Sequence, residues 1–231
     1  MAPTGTLRIG VNYGNPVIAQ RNPSGGEPRG VGPELGRELG RRLGVPVSYV
    51  TYDTAGKMAD AVRAGAWDVA FLATDPARAS DIAFSRPYVQ IEGTYLVRRD
   101  SPLRSIDEVD REGIRVAVAN KSAYDLFLTR HLRHAKLVKA PTSPAAIALF
   151  LSENLDAAGG VKNTLVAAAA RDPQLRVIDG NFMVIGQAAG VPRARENAAR
   201  YVAAFVEEAK KSGFVARALR ESGVTDATVA P

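Results

Sequence analysis

A chain of 231 residues, 46% hydrophobic and 23% charged, is long enough for one large domain or two modest lobes. No stretch approaches the roughly 18 consecutive apolar residues that a membrane span needs, so the sequence reads as a soluble protein. The net charge of +6 comes with scattered arginines and only 6% aromatic residues, which argues against nucleic acid, and the absence of cysteine excludes disulfides, thiolate metal sites and thiol nucleophiles.

MAPTG leads within a few residues into LRIGVN (7–12), a strand ending in polar residues, so a secretory signal is either removed or was never present. The loop NPSGGEPRG then reverses the chain. In GPELGRELGRRLGV a helix is expected, with Pro33 in its first turn, Leu35, Leu39 and Leu43 on one face and Gly44 at its end. VSYVTY reads as a strand, KMADAVRAG (57–65) as a helix and WDVAFLA (67–73) as a strand, so this half is α/β with a largely parallel sheet.

The second half repeats the programme. GIRVAVAN (113–120) echoes TLRIGVN, and AIALFLSENLDAAGG (146–160) echoes KMADAVRAGAWDVAF, with Asp68 and Asp156 at matching places. Two similar halves favour two lobes with a cleft. The extended stretches 88–102 and 176–192 read as crossings between them, and two crossings make a hinge that lets lobes close on a ligand. A final helix runs through RENAARYVAAFVEEAKKSGFVARALRESG, with Tyr201, Phe205 and Ala209 on one face and Gly213 as a break.

Motifs for chemistry are missing. There is no G-x-S-x-G, no P-loop and no dinucleotide fingerprint. His131 and His134 fall three residues apart on one expected helix, without a further ligand set for zinc. No catalytic residue, metal or cofactor is therefore expected. What remains is a set of polar positions at strand ends, where open α/β sheets bind ligands. They are Asn12, Tyr13 and Asn15; Tyr52 and Asp53; Ala73 to Arg78; Asn120, Lys121 and Ser122; and Lys162 with Asn163.

Within FLATDPARASDIAFSRPY (71–88) a turn at Thr74, Asp75 and Pro76 delivers Arg78. In NKSAYDLFL, Ser122 and Asp125 have capping-box spacing, with Asp in place of Glu or Gln. Either Ser122 simply caps a helix, or an anion docks between Lys121 and the helix start; one serine cap is compatible with both.

These segments resemble the periplasmic solute-binding proteins of ABC transporters for polar amino acids, the bacterial extracellular solute-binding family 3. The resemblance runs through GVGPELGRELGRRLGV, AVRAGAWDVAFLATDPAR, FSRPYV, TYLVRRDSPLRSIDEV, IRVAVANKSAYDLFL and FVEEAKKSGFVARAL. It implies the two-lobed type II periplasmic binding protein fold, an α/β class with two similar lobes joined by a two-strand hinge. Lobe 1 then takes 1–91 and 186–231, and lobe 2 takes 92–185. It also implies a periplasmic monomer that delivers a small carboxylate-bearing solute to an ABC permease in the membrane. The missing leader leaves a cytoplasmic location open.

Carried over from the family, Arg78 would hold the ligand carboxylate bidentately. Tyr13, Asn15 and the loop from Tyr52 to Ala55 would line one wall, and Asn120, Lys121, Ser122 and Ala123 would form the ligand loop of lobe 2. Two positions depart from the pattern. Ala73, beside Thr74, stands where the family has Ser or Thr, and Val161, beside Lys162, stands where an acid usually pairs with the ligand ammonium. The expected ligand is therefore an anion without the standard α-amino contact, a small carboxylate or dicarboxylate held by Arg78 with Lys121 or Lys162. Two other roles on the same scaffold are a lyase resembling cyclohexadienyl dehydratases, with Asp53 or Glu92 as general acid, and a ligand-sensing domain. For the sensing role nothing is fused here, and the ends read as complete.

Overall fold

The computed structural model describes residues 1–224 and 227–231. The chain divides into two compact units, Met1–Gln90 with Gly186–Pro231, and Ile91–Ile185. Each is α/β, and the fold is that of type II periplasmic binding proteins.

The first unit opens with β1 (Leu7–Asn12), α1 (Val31–Leu43), β2 (Val47–Tyr52), α2 (Ala55–Asp60), β3 (Val69–Ala73) and β4 (Ile82–Phe84). β1 is central and parallel to both β2 and β3, so these three strands end at one edge, at Asn12, Tyr52 and Ala73. α1 packs close because its sheet-facing side carries glycines. A Cβ on Gly36 would meet the Ile9 side chain at 3.0 Å, and one on Gly40 would meet Val47 Cγ2 at 2.2 Å. A core of Met58, Val62, Trp67, Ala70, Leu72 and Ile82 fills the other side.

The expected helix over 57–65 is shorter, ending as α2 at Asp60. The carbonyl of Met58, which a continuing helix would offer to the Val62 N–H, is taken by the indole N–H of buried Trp67 at 2.8 Å. Val62 instead donates to the carbonyl of Ala59, and Arg63 to that of Asp60, so the chain tightens into i→i+3 bonds up to Gly65.

β5 (Val89–Arg98) carries the chain into the second unit, which continues with β6 (Arg115–Ala119), α3 (Ala123–His131), β7 (Lys136–Ala140), α4 (Ser143–Ser152), β8 (Ala157–Val161), α5 (Lys162–Arg171) and β9 (Leu175–Val177). β6 is parallel to β7 and β8, whereas β5 runs antiparallel to β8 with Gly93 opposite Val161. Leu96, Ala117, Ala146, Phe150, Ala158 and Leu165 are among its core residues. β7 has no counterpart in the sequence reading: it is a five-residue strand whose Lys136 and Lys139 interrupt the apolar pattern.

β10 (Met183–Pro192) returns the chain to the first unit, where α6 (Glu196–Lys211), α7 (Phe214–Glu221) and β11 (Thr228–Val229) complete it. Gly213, at φ 72°, separates the two helices where the break is expected. Tyr201 is a correction: it is exposed, and the buried stripe of α6 is Ala198, Val202, Phe205, Val206 and Ala209. His134 is another, since α3 ends at His131 and the His134 backbone N–H donates to Asp110 Oδ1 at 2.8 Å in the loop beyond.

The internal repeat is visible in matching bonds. In the first unit, Asp68 accepts the Arg8 backbone N–H at 3.0 Å while its own N–H donates to the Arg8 carbonyl. In the second, Asp156 stands in the same relation to Arg115, accepting its N–H at 2.7 Å and donating to its carbonyl. Thr54 and Thr142 likewise cap α2 and α4.

Candidate functional site

In each unit the candidate residues follow the ends of parallel strands. In the first, Asn12 lies in register with Tyr52, and the Tyr13 N–H donates to the Tyr52 carbonyl at 2.9 Å. The Asn12 and Asn15 side chains accept the N–H groups of Gly14 and Val17, two residues on, and so shape the loop. The sequence reading missed Arg21, whose guanidinium lies 4.3 Å from the centre of the Tyr13 ring and pairs with Asp53 Oδ1 at 3.0 Å. Nothing local in the loop of residues 21–30 distinguishes this arginine; only the return of the loop, tied by the Gln20 and Arg29 backbones, brings it over Tyr13.

After β3, Asp75 Oδ1 accepts the Ala77 N–H at 2.8 Å and sets the turn. The Arg78 side chain does not project freely into water. It is 5% exposed, and its Nη1 donates to the Ala73 carbonyl at 2.8 Å. Burial draws its pKa down to about 10, with Asp75 and Asp60 opposing the shift, so the group stays charged at neutral pH. Thr74 faces β10: both its N–H and its hydroxyl donate to the Gly186 carbonyl, at 2.9 and 3.4 Å.

In the second unit, the Asn120 N–H donates to the Ala140 carbonyl at 2.8 Å, and Lys121 adopts φ 56°, a left-handed conformation uncommon outside glycine. Ser122 caps α3 by accepting the Asp125 N–H at 3.0 Å, and Ala123 is buried in the first turn. The reciprocal bond of a capping box is displaced by one residue. Asp125 Oδ2 accepts the N–H of Lys121 at 2.7 Å, while Oδ1 takes Thr129 at 3.2 Å and Lys139 Nζ at 3.1 Å. A buried carboxylate thus already sits at this helix start, which favours the plain capping reading of Ser122 over a docked anion.

Lys162 opens α5 next to Val161, which supplies no side-chain cap. Its ammonium lies 2.6 Å from Glu92 Oε2, and Glu92 Oε1 accepts from Asn181 Nδ2 at 3.1 Å. Glu92 and Asn181 come from β5 and from the loop before β10, so no sequence spacing announces the cluster. Among the described residues no group of three or more His, Cys, Asp or Glu is placed to hold a metal ion, and no helix is long and apolar enough to cross a membrane.

Solved structures with the same fold include holo ArgBP from T. maritima, with a TM-score of 0.77 and 22% identity over 94% of this chain and 96% of that one. The ancestral amino acid-binding protein AncCDT-1, described as a precursor of cyclohexadienyl dehydratase, matches at TM-score 0.77 and 22% identity over 94% of this chain and 95% of its own. AbpA from Streptococcus pneumoniae, bound to L-arginine, matches at TM-score 0.79 and 18% identity over 94% of each chain. Among curated proteins, the virulence sensor protein BvgS of Bordetella pertussis is 32% identical over 117 residues, which are 50% of this chain and 9% of that protein's length. Residues 7–221 match the pattern of one family throughout, and the chain belongs to the bacterial extracellular solute-binding proteins, family 3.

Proposed function

We propose that the chain is the ligand-binding component of an ABC-type importer, acting as a periplasmic monomer on a small carboxylate-bearing solute, amino-acid-like or organic acid, and passing it to a membrane permease. Arg78 is its carboxylate anchor. The observation that carries this reading is a guanidinium that is 5% exposed, beside the end of β3, with a pKa drawn down to about 10 chiefly by burial. A carboxylate brought to it restores stabilisation that desolvation removed, and the planar fork suits two parallel hydrogen bonds. Relatives described as arginine-bound make amino acids natural first probes, while Val161 directs attention equally to acids without an ammonium.

Both acids that a lyase reading would use are already engaged, Asp53 with Arg21 and Glu92 with Lys162 and Asn181, which supports binding over chemistry. Closing of the two units on the solute belongs to the same proposal, and small-angle scattering with and without solute reads it. The partial match to BvgS favours a sensing role as the second reading, tested by the native gene on either side of this segment. Calorimetry with a panel of amino acids and small mono- and dicarboxylates tests the main one. Binding of at least one carboxylate, lost in Arg78→Met, is expected; a ligand that binds equally well without Arg78 would remove the anchor.

A further inference from the structure

The ion pair between Lys162 and Glu92 bears on ligand class, provided that the strand ends form the binding edge, as the proposed function requires. β6 and β8 are parallel neighbours, so Ala119 and Val161 finish at one edge of the second unit's sheet, with Lys162 immediately beyond. Glu92 reaches that edge from β5, one residue from Gly93, the partner of Val161. The two side chains are 40% and 39% exposed, so the pair is in reach of a solute.

Lys162 stands in an unusual position for a cation. It occupies the first turn of a ten-residue helix, where the dipole favours negative charge, and Val161 offers no side-chain cap. Ammonium and helix start would together make a strong anion site. Glu92 cancels it, with one oxygen on Lys162 and the other on Asn181.

We propose that this pair sets the specificity of the second unit, presenting a net-neutral, hydrogen-bonding corner. It favours a solute that brings an uncharged polar group, such as a carboxamide or hydroxyl, to this corner. A cationic end must take Glu92 from Lys162, and an anionic end must take Lys162 from Glu92. Either exchange leaves one charge without its partner beneath a bound solute that excludes the water now screening the pair, whereas a neutral group leaves the pair intact.

The test uses three probes that share one carboxylate and differ at the other end: succinamate, succinate and β-alanine. Their affinities are measured by calorimetry for the unaltered chain, Glu92→Gln and Lys162→Met. Succinamate is expected to bind the unaltered chain at least tenfold more tightly than the other two. Glu92→Gln should shift the ratio at least tenfold toward succinate, and Lys162→Met at least tenfold toward β-alanine. Unchanged ratios in both variants, or no binding of any probe to any of the three proteins, overturns the proposal. Arg78→Met separates the two readings. Loss of all three probes there, with the shifted ratios intact in the other variants, supports both, whereas retained binding removes the anchor and leaves the pair standing.

Discussion

Lys162 Nζ and Glu92 Oε2 lie 2.6 Å apart, joining residues 70 positions apart in sequence at the start of α5. Both side chains are about two-fifths exposed, and pairs in such positions contribute little to folding because water screens them. Lys162→Met and Glu92→Gln are therefore expected to change unfolding free energy by less than about 1 kcal/mol. Chemical denaturation of each variant checks this, and a larger loss would mark the pair as structural.

Arg78→Lys distinguishes charge from geometry. Lysine keeps the positive charge but lacks the planar fork, and its shorter set of donors cannot hold both the Ala73 carbonyl and a bidentate carboxylate. Carboxylate affinity should fall by about 1.5–3 kcal/mol, or roughly ten- to a hundredfold, as expected for losing a charge-assisted bond. Calorimetry with whichever carboxylate the unaltered protein binds reads the change.

Asp68 and Asp156 occupy equivalent positions in buried and open settings. The Asp68 side chain is fully buried and bridges Arg8 at 2.9 Å and Arg195 at 2.7 Å, whereas that of Asp156 is 37% exposed. Asp68→Ala should cost about 2–3 kcal/mol and Asp156→Ala about 1 kcal/mol or less. For Asp68, burial pulls the pKa upward, but the bonds from Arg8 and Arg195 outweigh it and the net shift is downward. A depressed folded-state pKa contributes stability above the unfolded value of about 3.9 and loses it as pH falls through the folded value. Asp68→Asn should flatten the stability profile below about pH 4, read by thermal unfolding across pH.

Asp125 is 1% exposed and holds Lys121 in its left-handed conformation through the 2.7 Å bond to its N–H. Asp125→Ala removes the acceptor shared by the Lys121 N–H, Thr129 and Lys139, at an expected cost of about 1–3 kcal/mol. Asp125→Asn keeps an acceptor and should lose less. Urea denaturation ranks the two, and amide exchange at Lys121 should rise more in the alanine variant.

Gly40→Ala should reverse the usual sign for a helix. In an exposed helix the change is favourable by about 0.8–1.0 kcal/mol. Here the new Cβ would lie 2.2 Å from Val47 Cγ2, so overpacking of about 1–3 kcal/mol wins. A lower unfolding temperature is the expected result.

Local signals decided much of this protein. Period-four leucines before Gly44, alternation of strands with helices, the echo between residues 6–12 and 113–120, and Gly213 between two amphipathic stretches all rest on interactions within a few residues, so the sequence alone determined the α/β class, most elements of the first unit and the family, whereas β7 stayed hidden behind Lys136 and Lys139. The run around Arg78 also marked the residue and its turn. What tertiary structure decided is where polar groups spend their bonding capacity. Trp67 shortened α2 by claiming the Met58 carbonyl, Arg21 came to rest over Tyr13, and Glu92 neutralised Lys162 across the sheet. Each partner is brought by a different element or a returning loop, and charge pairing depends on distance in space, which residue spacing along one strand or helix does not encode.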